Sequence, residues 1–160
     1  MMRKQFLMHL LLTLIWVALT GSFAFINFFF GFLLSFLLMW VISSSNPERR
    51  KYFSLIPQVI GFILFFTKEL IKANIQVAYD VITPKFYMQP GIVCVPLEAK
   101  TDLEITLLAN FITLTPGTLS LDVSDDRKVL YIHAMYIKDK ESFVREIKDG
   151  FERRLLKILR

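Results

Sequence analysis

The amino-acid sequence predicts a membrane protein: an α-helical hairpin of two spans, an interfacial amphipathic helix, and a small cytoplasmic α+β domain of β-α-β-β-α order. Residues 6–43 contain no Asp, Glu, Lys or Arg, and His9 is their only titratable side chain. As a helix these 38 residues would extend about 57 Å, against a hydrocarbon core of about 30 Å, so the run has room for two crossings. Residues 84–160 are numerous enough for one small folded domain.

The basic excess lies at the two ends of the apolar run. The formal net charge is +5, of which +4 belongs to residues 1–83 and +1 to residues 84–160. Arg3-Lys4 and Arg49-Arg50-Lys51 flank the run. Because cytoplasmic flanks carry the excess of Lys and Arg, both ends of the hairpin and the domain that follows are predicted on the cytoplasmic side of the cell membrane. The nearly balanced tail excludes the basic surface that nucleic-acid binding requires.

The first helix is predicted over residues 5–19 and the second over residues 25–43, with a turn at Thr20-Gly21-Ser22. A cleaved signal peptide is the alternative for the first segment, but the apolar run continues for a further full span, which favours an uncleaved hairpin. Asn27, Gly31 and Ser35 form a stripe of small side chains at helical spacing. This stripe is a candidate helix-packing face, because small residues let another helix approach closely; an ordinary turn-proximal sequence is the alternative.

Residues 46–83 form a basic linker and an amphipathic helix. Ser43–Pro47 ends the hairpin, and residues 53–67 are apolar but number only 15 and are interrupted by Pro57 and Gln58. A span needs about 20 residues, so an interfacial helix is favoured and a third span is the alternative. Its polar side chains fall within about a third of the helix circumference. The candidate polar stripe consists of Lys68, Glu69, Lys72 and Asp80.

The tail begins with a strand over residues 91–97, bounded by two prolines. Thr101 and Glu104 match a capping box, which predicts a helix over residues 102–114. This helix is apolar nearly all round and too short to span, so it requires cover from a sheet, the membrane or another chain. Thr115-Pro116-Gly117 is predicted to stop it, because proline cannot continue the helix and glycine permits the reversal.

A β-hairpin and a last helix complete the tail. Leu119, Leu121 and Val123 alternate with polar residues, residues 124–127 have turn chemistry, and a return strand covers residues 129–136. The final helix, residues 139–160, is amphipathic and carries an apolar residue at every fourth position: Phe143, Ile147, Phe151, Leu155 and Leu159. The predicted product is a small sheet with its helices on one face. The predicted domains are therefore 1–45, 46–83 and 84–160.

No catalytic, cofactor or metal site is predicted. Common catalytic and phosphate-binding motifs are absent, Cys94 is the only cysteine, and the two histidines lie far apart in the sequence. His133 could be paired with Ser120 or Asp122, but a strand histidine is the simpler interpretation. An ion path needs charged groups within the spans, and His9 is expected near a helix end, where its ring can reach the interface.

The run from Phe111 to Thr118, followed by residues 121–126 and 130–133, closely resembles the E subunits of Mrp-type (Mnh) multisubunit sodium/proton antiporters. The likeness extends to the whole plan of hairpin, basic linker and tail. It implies an accessory, non-catalytic subunit that supports assembly and coupling while larger subunits carry the ions. Its implied partners are other membrane subunits and the lipid bilayer, and Thr115, Pro116 and Gly117 match the family motif.

Two other functions stay open at this point. Related subunits occur in membrane-bound hydrogenase-type complexes, so the resemblance also allows an Mrp-like subunit of such a complex. A stand-alone membrane-tethered adaptor that recruits a soluble partner would have the same plan. An ion carrier in its own right is disfavoured by the charge-free hairpin. The cation, the stoichiometry and the partner that touches each face are left open.

Overall fold

A computed structural model describes residues 2–43, 47–84 and 88–160, and the chain divides into two compact units, Met1–Pro57 and Gln58–Arg160. This division differs from the three predicted domains. The segment after Pro57 packs with the α+β domain and is not a separate linker, since its aromatic side chains enter that domain's core.

The first unit contains helices α1 (Met2–Thr20) and α2 (Phe25–Ser43), and α3 (Pro47–Ile82) begins in it. Gly21, with φ of +64°, provides the left-handed backbone of the turn between α1 and α2. Helix α3 runs through Pro57 and Gln58, the two residues that interrupt the apolar run of the sequence. A proline inside a helix removes one backbone hydrogen bond, a loss that the continuous apolar helix tolerates here. The predicted breaker residues 44–46 lie outside the described residues.

By length and composition, the described helices include two that could cross a membrane, Phe25–Ile42 and Phe53–Ile82. The apolar part of α1, Lys4–Thr20, is shorter than either of these two segments. The count of two agrees with the prediction, but the pair differs, because α1 and α2 were the predicted spans.

The second unit is an α+β domain. It contains β1 (Gly91–Pro96), α4 (Asp102–Thr113), β2 (Thr118–Val123) and β3 (Val129–Ala134). A continuous helix, α5, follows in three segments: α-helical Lys140–Arg145, π-helical Glu146–Glu152 and α-helical Arg153–Leu159. The sheet is antiparallel with order β1-β3-β2, and Val93 pairs with Ile132. The register of β2 shifts between Ser120 and Asp122.

The core of this unit lies on one face of the sheet. Val93, Val95, Leu130 and Ile132 are buried there, and their strand neighbours point to the opposite, more exposed face. Helices α4 and α5 cover the buried face through Leu108, Ile112, Ile147, Phe151 and Leu155.

Helix α4 lies between the sheet and α3, which explains its apolar character on several sides. Its buried face, with Ile105, Leu108 and Ile112, belongs to the domain core. Phe111 meets Phe62 and Phe66 of α3 edge-on, with ring centroids 4.8 and 5.2 Å apart. The cover that the sequence requires for α4 therefore comes from the chain's own sheet and from α3.

Candidate functional site

The candidate packing stripe of α2 lies against α1 of the same chain. A Cβ atom added to Gly31 would lie 2.5 Å from Cδ1 of Trp16, so only glycine fits there. Trp16 Nε1 donates a 3.1 Å hydrogen bond to Asn27 Oδ1, and the Asn27 amide donates to Thr20 Oγ1 at 2.6 Å. Ser35 is buried. The stripe thus lies between the two helices of one hairpin.

A row of buried polar side chains on α1 was missed from the sequence. His9 is 1% exposed, and its Nε2 lies 2.8 Å from the backbone oxygen of Phe32 on α2. Since a carbonyl oxygen only accepts, this nitrogen carries the proton. Gln5 and Thr13 are buried one turn to either side, and the Thr13 hydroxyl donates to the His9 carbonyl at 2.9 Å.

The His9 ring lies against Phe32, with ring centroids 4.1 Å apart and the ring planes tilted by 33°. Its expected position near the membrane interface stays a prediction. The i, i+4, i+8 spacing of Gln5, His9 and Thr13 was the signal that could have revealed the row. A polar group in such a helix pair is best satisfied by the partner helix, which is what the bond to Phe32 achieves.

The family motif shapes the turn from α4 to β2. Thr115 Oγ1 donates to the Phe111 carbonyl at 3.1 Å, and Thr118 Oγ1 donates to the Ile112 carbonyl at 2.6 Å. Both acceptors are carbonyls of the last helical turn, and the Ile112 carbonyl also accepts from the Thr115 amide at 3.1 Å. Gly117 has a φ of +87°, and its carbonyl accepts from the Met135 amide at 2.8 Å. Pro116 has no amide hydrogen with which to extend α4.

The same turn forms one wall of a cleft of about 260 Å³ in the second unit. Thr115 and Thr118 line this wall, and Glu69 and Lys72 of α3 line another. The Lys72 ammonium lies 3.7 Å from the Glu69 carboxylate. The structure thus brings two residues of the predicted polar stripe next to the family motif, although nothing in the sequence indicated that they meet.

The third wall of the cleft is the π-helical segment of α5 together with the turn before it. Phe143, Glu146, Ile147 and Phe151 line the cleft from this side. π-Helical turns are rare and occur frequently at functional sites. Neither the π segment nor the cleft was predicted from the sequence.

The other two stripe residues lie elsewhere. Lys68 is exposed, whereas Asp80 is buried and accepts a short hydrogen bond from the Tyr136 hydroxyl. This bond, together with burial, raises the pKa of Tyr136 to about 12. Among the described residues, the second oxygen of Asp80 has no hydrogen-bond partner. The Tyr136 ring also abuts the motif, since a Cβ atom on Gly117 would lie 3.3 Å from its Cε2.

A network of charged side chains joins α5 to the loop between β1 and α4. The predicted capping box of Thr101 and Glu104 is confirmed. Glu104 also accepts from Arg160 Nε at 3.0 Å, and this bond, with one from the Lys100 amide, lowers its pKa to about 2. Buried Glu152 accepts from the backbone amides of Glu98 and Ala99, at 2.6 and 2.9 Å. The hydrogen bonds of these two carboxylates join α5 to the loop before α4 and so stabilise the domain.

The arrangement offers little to hydrolytic or metal chemistry. Ser120 pairs with Ile132 in the sheet, so it lies on the opposite face from His133, and its hydroxyl donates to the Ala109 carbonyl at 3.0 Å. Within the part of the chain that is described, no three His, Cys, Asp or Glu side chains are grouped to hold a metal ion.

Comparison with known proteins gives a consistent result. A family described as a Na+/H+ ion antiporter subunit (MNHE) matches residues 9–158. The chain is 43% identical to the E subunit of the Na+/H+ antiporter of Alkalihalophilus pseudofirmus, over 98% of this chain and 99% of the relative. It is 37% identical to the corresponding E subunit of Bacillus subtilis, over 99% of this chain and all of the relative.

Two solved structures contain similar chains. One belongs to the membrane-bound sulfane sulfur reductase, an archaeal respiratory membrane complex, with 32% identity, a TM-score of 0.54 and coverage of 94% of this chain and 95% of that one. The other belongs to the Mrp complex from Dietzia sp. DQ12-45-1b, with 29% identity, a TM-score of 0.49 and coverage of 64% and 96%.

Proposed function

The chain belongs to the MNHE family of Na+/H+ ion antiporter subunits, and we propose that it is an accessory member of an Mrp-type antiporter complex. Other membrane subunits of the complex are its partners. Its contribution is to support the assembly of the complex and the coupling of sodium to proton movement. The ions move through other subunits.

The observation that carries this proposal is the lack of charge in the hairpin. No Asp, Glu, Lys or Arg lies between Phe6 and Ser43. His9 bonds to the Phe32 carbonyl, and Asn27 bonds to Trp16 and Thr20, so these polar groups are engaged within the hairpin. Ion and proton paths in membranes depend on charged groups that face a cavity. The hairpin therefore supplies packing surface and no conducting group.

We place the hairpin across the membrane with both ends, and the α+β domain, on the cytoplasmic side. The part of α3 from residue 58 onward then lies at the membrane surface. Along one side it packs on the domain through Phe62, Phe65 and Phe66, and Asp80 bonds to Tyr136. A helix that carries a polar domain on one side cannot be surrounded by hydrocarbon. Its other side exposes Ile60, Ile63, Leu64, Ile71 and Ile75, which suits contact with lipid.

The test is to remove the chain from the complex and to study it alone. Without the chain, we expect a lower yield of assembled complex after mild-detergent purification. The chain alone, purified and reconstituted in vesicles, should give no sodium-driven proton flux, while the intact complex gives flux under the same conditions. Flux from the chain alone would overturn the accessory role, and a normal yield of active complex without the chain would overturn the assembly role.

Membership of a related respiratory complex is the second candidate function. The similar chain in the sulfane sulfur reductase complex matches 94% of this chain, which favours one shared fold in more than one kind of membrane complex. The proteins that co-purify with this chain distinguish the two. Antiporter-type subunits without redox subunits support the first function, and redox subunits support the second.

A further inference from the structure

The proposed function makes no use of the cleft bounded by α3, the turn at Thr115–Thr118 and the π segment of α5. It is defined by the family motif on one wall and by the π segment Glu146–Glu152 on another. These features are remote in sequence and independent of each other. Because both features line one concave surface, we interpret the cleft as a binding site and not as a gap left by imperfect packing.

The polar groups at the cleft are mainly hydrogen-bond acceptors. The hydroxyl hydrogens of Thr115 and Thr118 are directed to backbone carbonyls, which leaves their oxygens to accept. Glu69 and Glu146 are carboxylates, and among the described residues Glu146 forms no ion pair within 4 Å. Lys72 is the one cation among the described lining residues, and it already lies beside Glu69. A ligand that donates hydrogen bonds and carries positive charge complements this set.

The floor of the cleft is apolar and aromatic, formed by Phe65, Phe143 and Phe151. Such a surface suits the methylene stem of a long basic side chain. The guanidinium carbon of Arg154, in the same domain, lies 4.6 Å from the centroid of the Phe65 ring, so this ring already contacts one cation of the chain.

The cleft, at about 260 Å³, is smaller than the roughly 300–1,000 Å³ of small-molecule sites. We propose that it receives a lysine or arginine side chain from a neighbouring protein of the complex; this proposal rests on the proposed function. A phospholipid headgroup would bring a phosphate next to two carboxylates, which opposes its binding. A bare metal ion is disfavoured because, among the described residues, no three His, Cys, Asp or Glu side chains are grouped to hold one.

The first experiment reverses one charge at the cleft in the full complex. Glu146→Lys is compared with Glu141→Lys, an exposed glutamate on the same helix that does not line the cleft. The two variants change the net charge equally, and the control also removes an acid from the first turn, where negative charge is favoured. We expect Glu146→Lys to reduce at least one co-purifying protein of the complex fivefold or more, since like charges now meet.

Glu146→Gln should give a smaller loss, about two- to fivefold, as expected for an ion pair at a partly exposed rim. Equal retention in wild type, Glu146→Lys and Glu141→Lys would overturn the proposal. If the complex needs this chain for assembly but tolerates every cleft variant, the cleft inference fails while the proposed function stands.

The second experiment identifies the occupant. A benzoylphenylalanine cross-linker placed at Phe143 is activated by light in the assembled complex, and the products are mapped by mass spectrometry. A bond to a peptide of another protein of the complex, at or beside a lysine or arginine, supports the proposal. A lipid adduct, a bond within the same chain only, or no adduct contradicts it.

Discussion

The contact between Gly31 and Trp16 gives the sharpest prediction for the membrane hairpin. In Gly31→Ala, the new Cβ atom would lie 2.5 Å from Cδ1 and 3.0 Å from Cγ of Trp16. Carbon atoms pack best about 3.5–4.0 Å apart, so one helix must retreat by about 1 Å. Such overpacking costs about 1–3 kcal/mol. The movement also weakens the hydrogen bond from Trp16 to Asn27, a further loss of about 0.5–1.5 kcal/mol.

Gly61→Ala is the matched control. A Cβ atom on Gly61 meets nothing within 4 Å, and both glycines lie in helices. Each substitution therefore gains the same helix propensity, about 0.8–1.0 kcal/mol. The difference between the two variants isolates the clash and the weakened bond, and from the two costs above we expect it to be about 1.5–4.5 kcal/mol.

The assay uses a Trp40→Phe background, which leaves Trp16 as the only tryptophan. The purified chain is unfolded by SDS in mixed micelles, and the fluorescence of Trp16 reports the separation of α1 from α2. The midpoint for Gly31→Ala should fall well below that of Gly61→Ala. Equal midpoints would show that the two helices do not pack as described.

Three further predictions concern the α+β domain. Hydrogen bonds from Arg160 and the Lys100 amide hold the pKa of Glu104 in the folded protein at about 2, below its ordinary value of 4.5. This carboxylate therefore stabilises the fold above about pH 4.5, and the stabilisation is lost as the pH falls toward 2. Glu104→Gln should flatten this part of the curve of thermal stability against pH. Gly117→Ala should destabilise the domain by about 1–2 kcal/mol in chemical denaturation, because an L-residue is strained at a φ of +87°, and it should lower the abundance of the complex but not the flux per assembled complex. Tyr136→Phe removes the donor to Asp80 and should cost about 1.5–3 kcal/mol of unfolding free energy in the same assay, whereas an unchanged value would mean that the bond is not formed.

Sequence periodicity was sufficient to predict the helices and strands, but it did not predict which polar residues are buried or line the cleft. The bounds of α2 and α4, the capping box and the α+β class follow from local patterns, because caps, turns and apolar spacing act over a few residues. The cover of His9 by α2, and the presence of Glu69 and Thr115 on one cleft, depend on which faces come together. His9 and Phe32 are 23 positions apart along the chain, and Glu69 and Thr115 are 46 apart. The spacing of Gln5, His9 and Thr13 indicates a polar row on α1, but no local pattern indicates which helix covers it.

The apolar residues of α5 show that a four-residue spacing does not by itself place side chains on one face of an α-helix. Its apolar residues recur at every fourth position, and in an α-helix four residues advance about 40° beyond a full turn. Over the four steps from Phe143 to Leu159 the stripe would drift by about 160°, nearly to the opposite side. A π-helical turn holds more residues, so each residue advances by a smaller angle, and the π segment at Glu146–Glu152 works against this drift.

Ile147, Phe151 and Leu155 are accordingly all buried in one core. The four-residue spacing was therefore a signal for the π segment as well as for an amphipathic helix. Because Glu146, Ile147 and Phe151 line the cleft, the wider turn that keeps the stripe on the core also shapes this wall. A single local departure from α-helical geometry thus serves the packing of the domain and the form of its candidate binding surface.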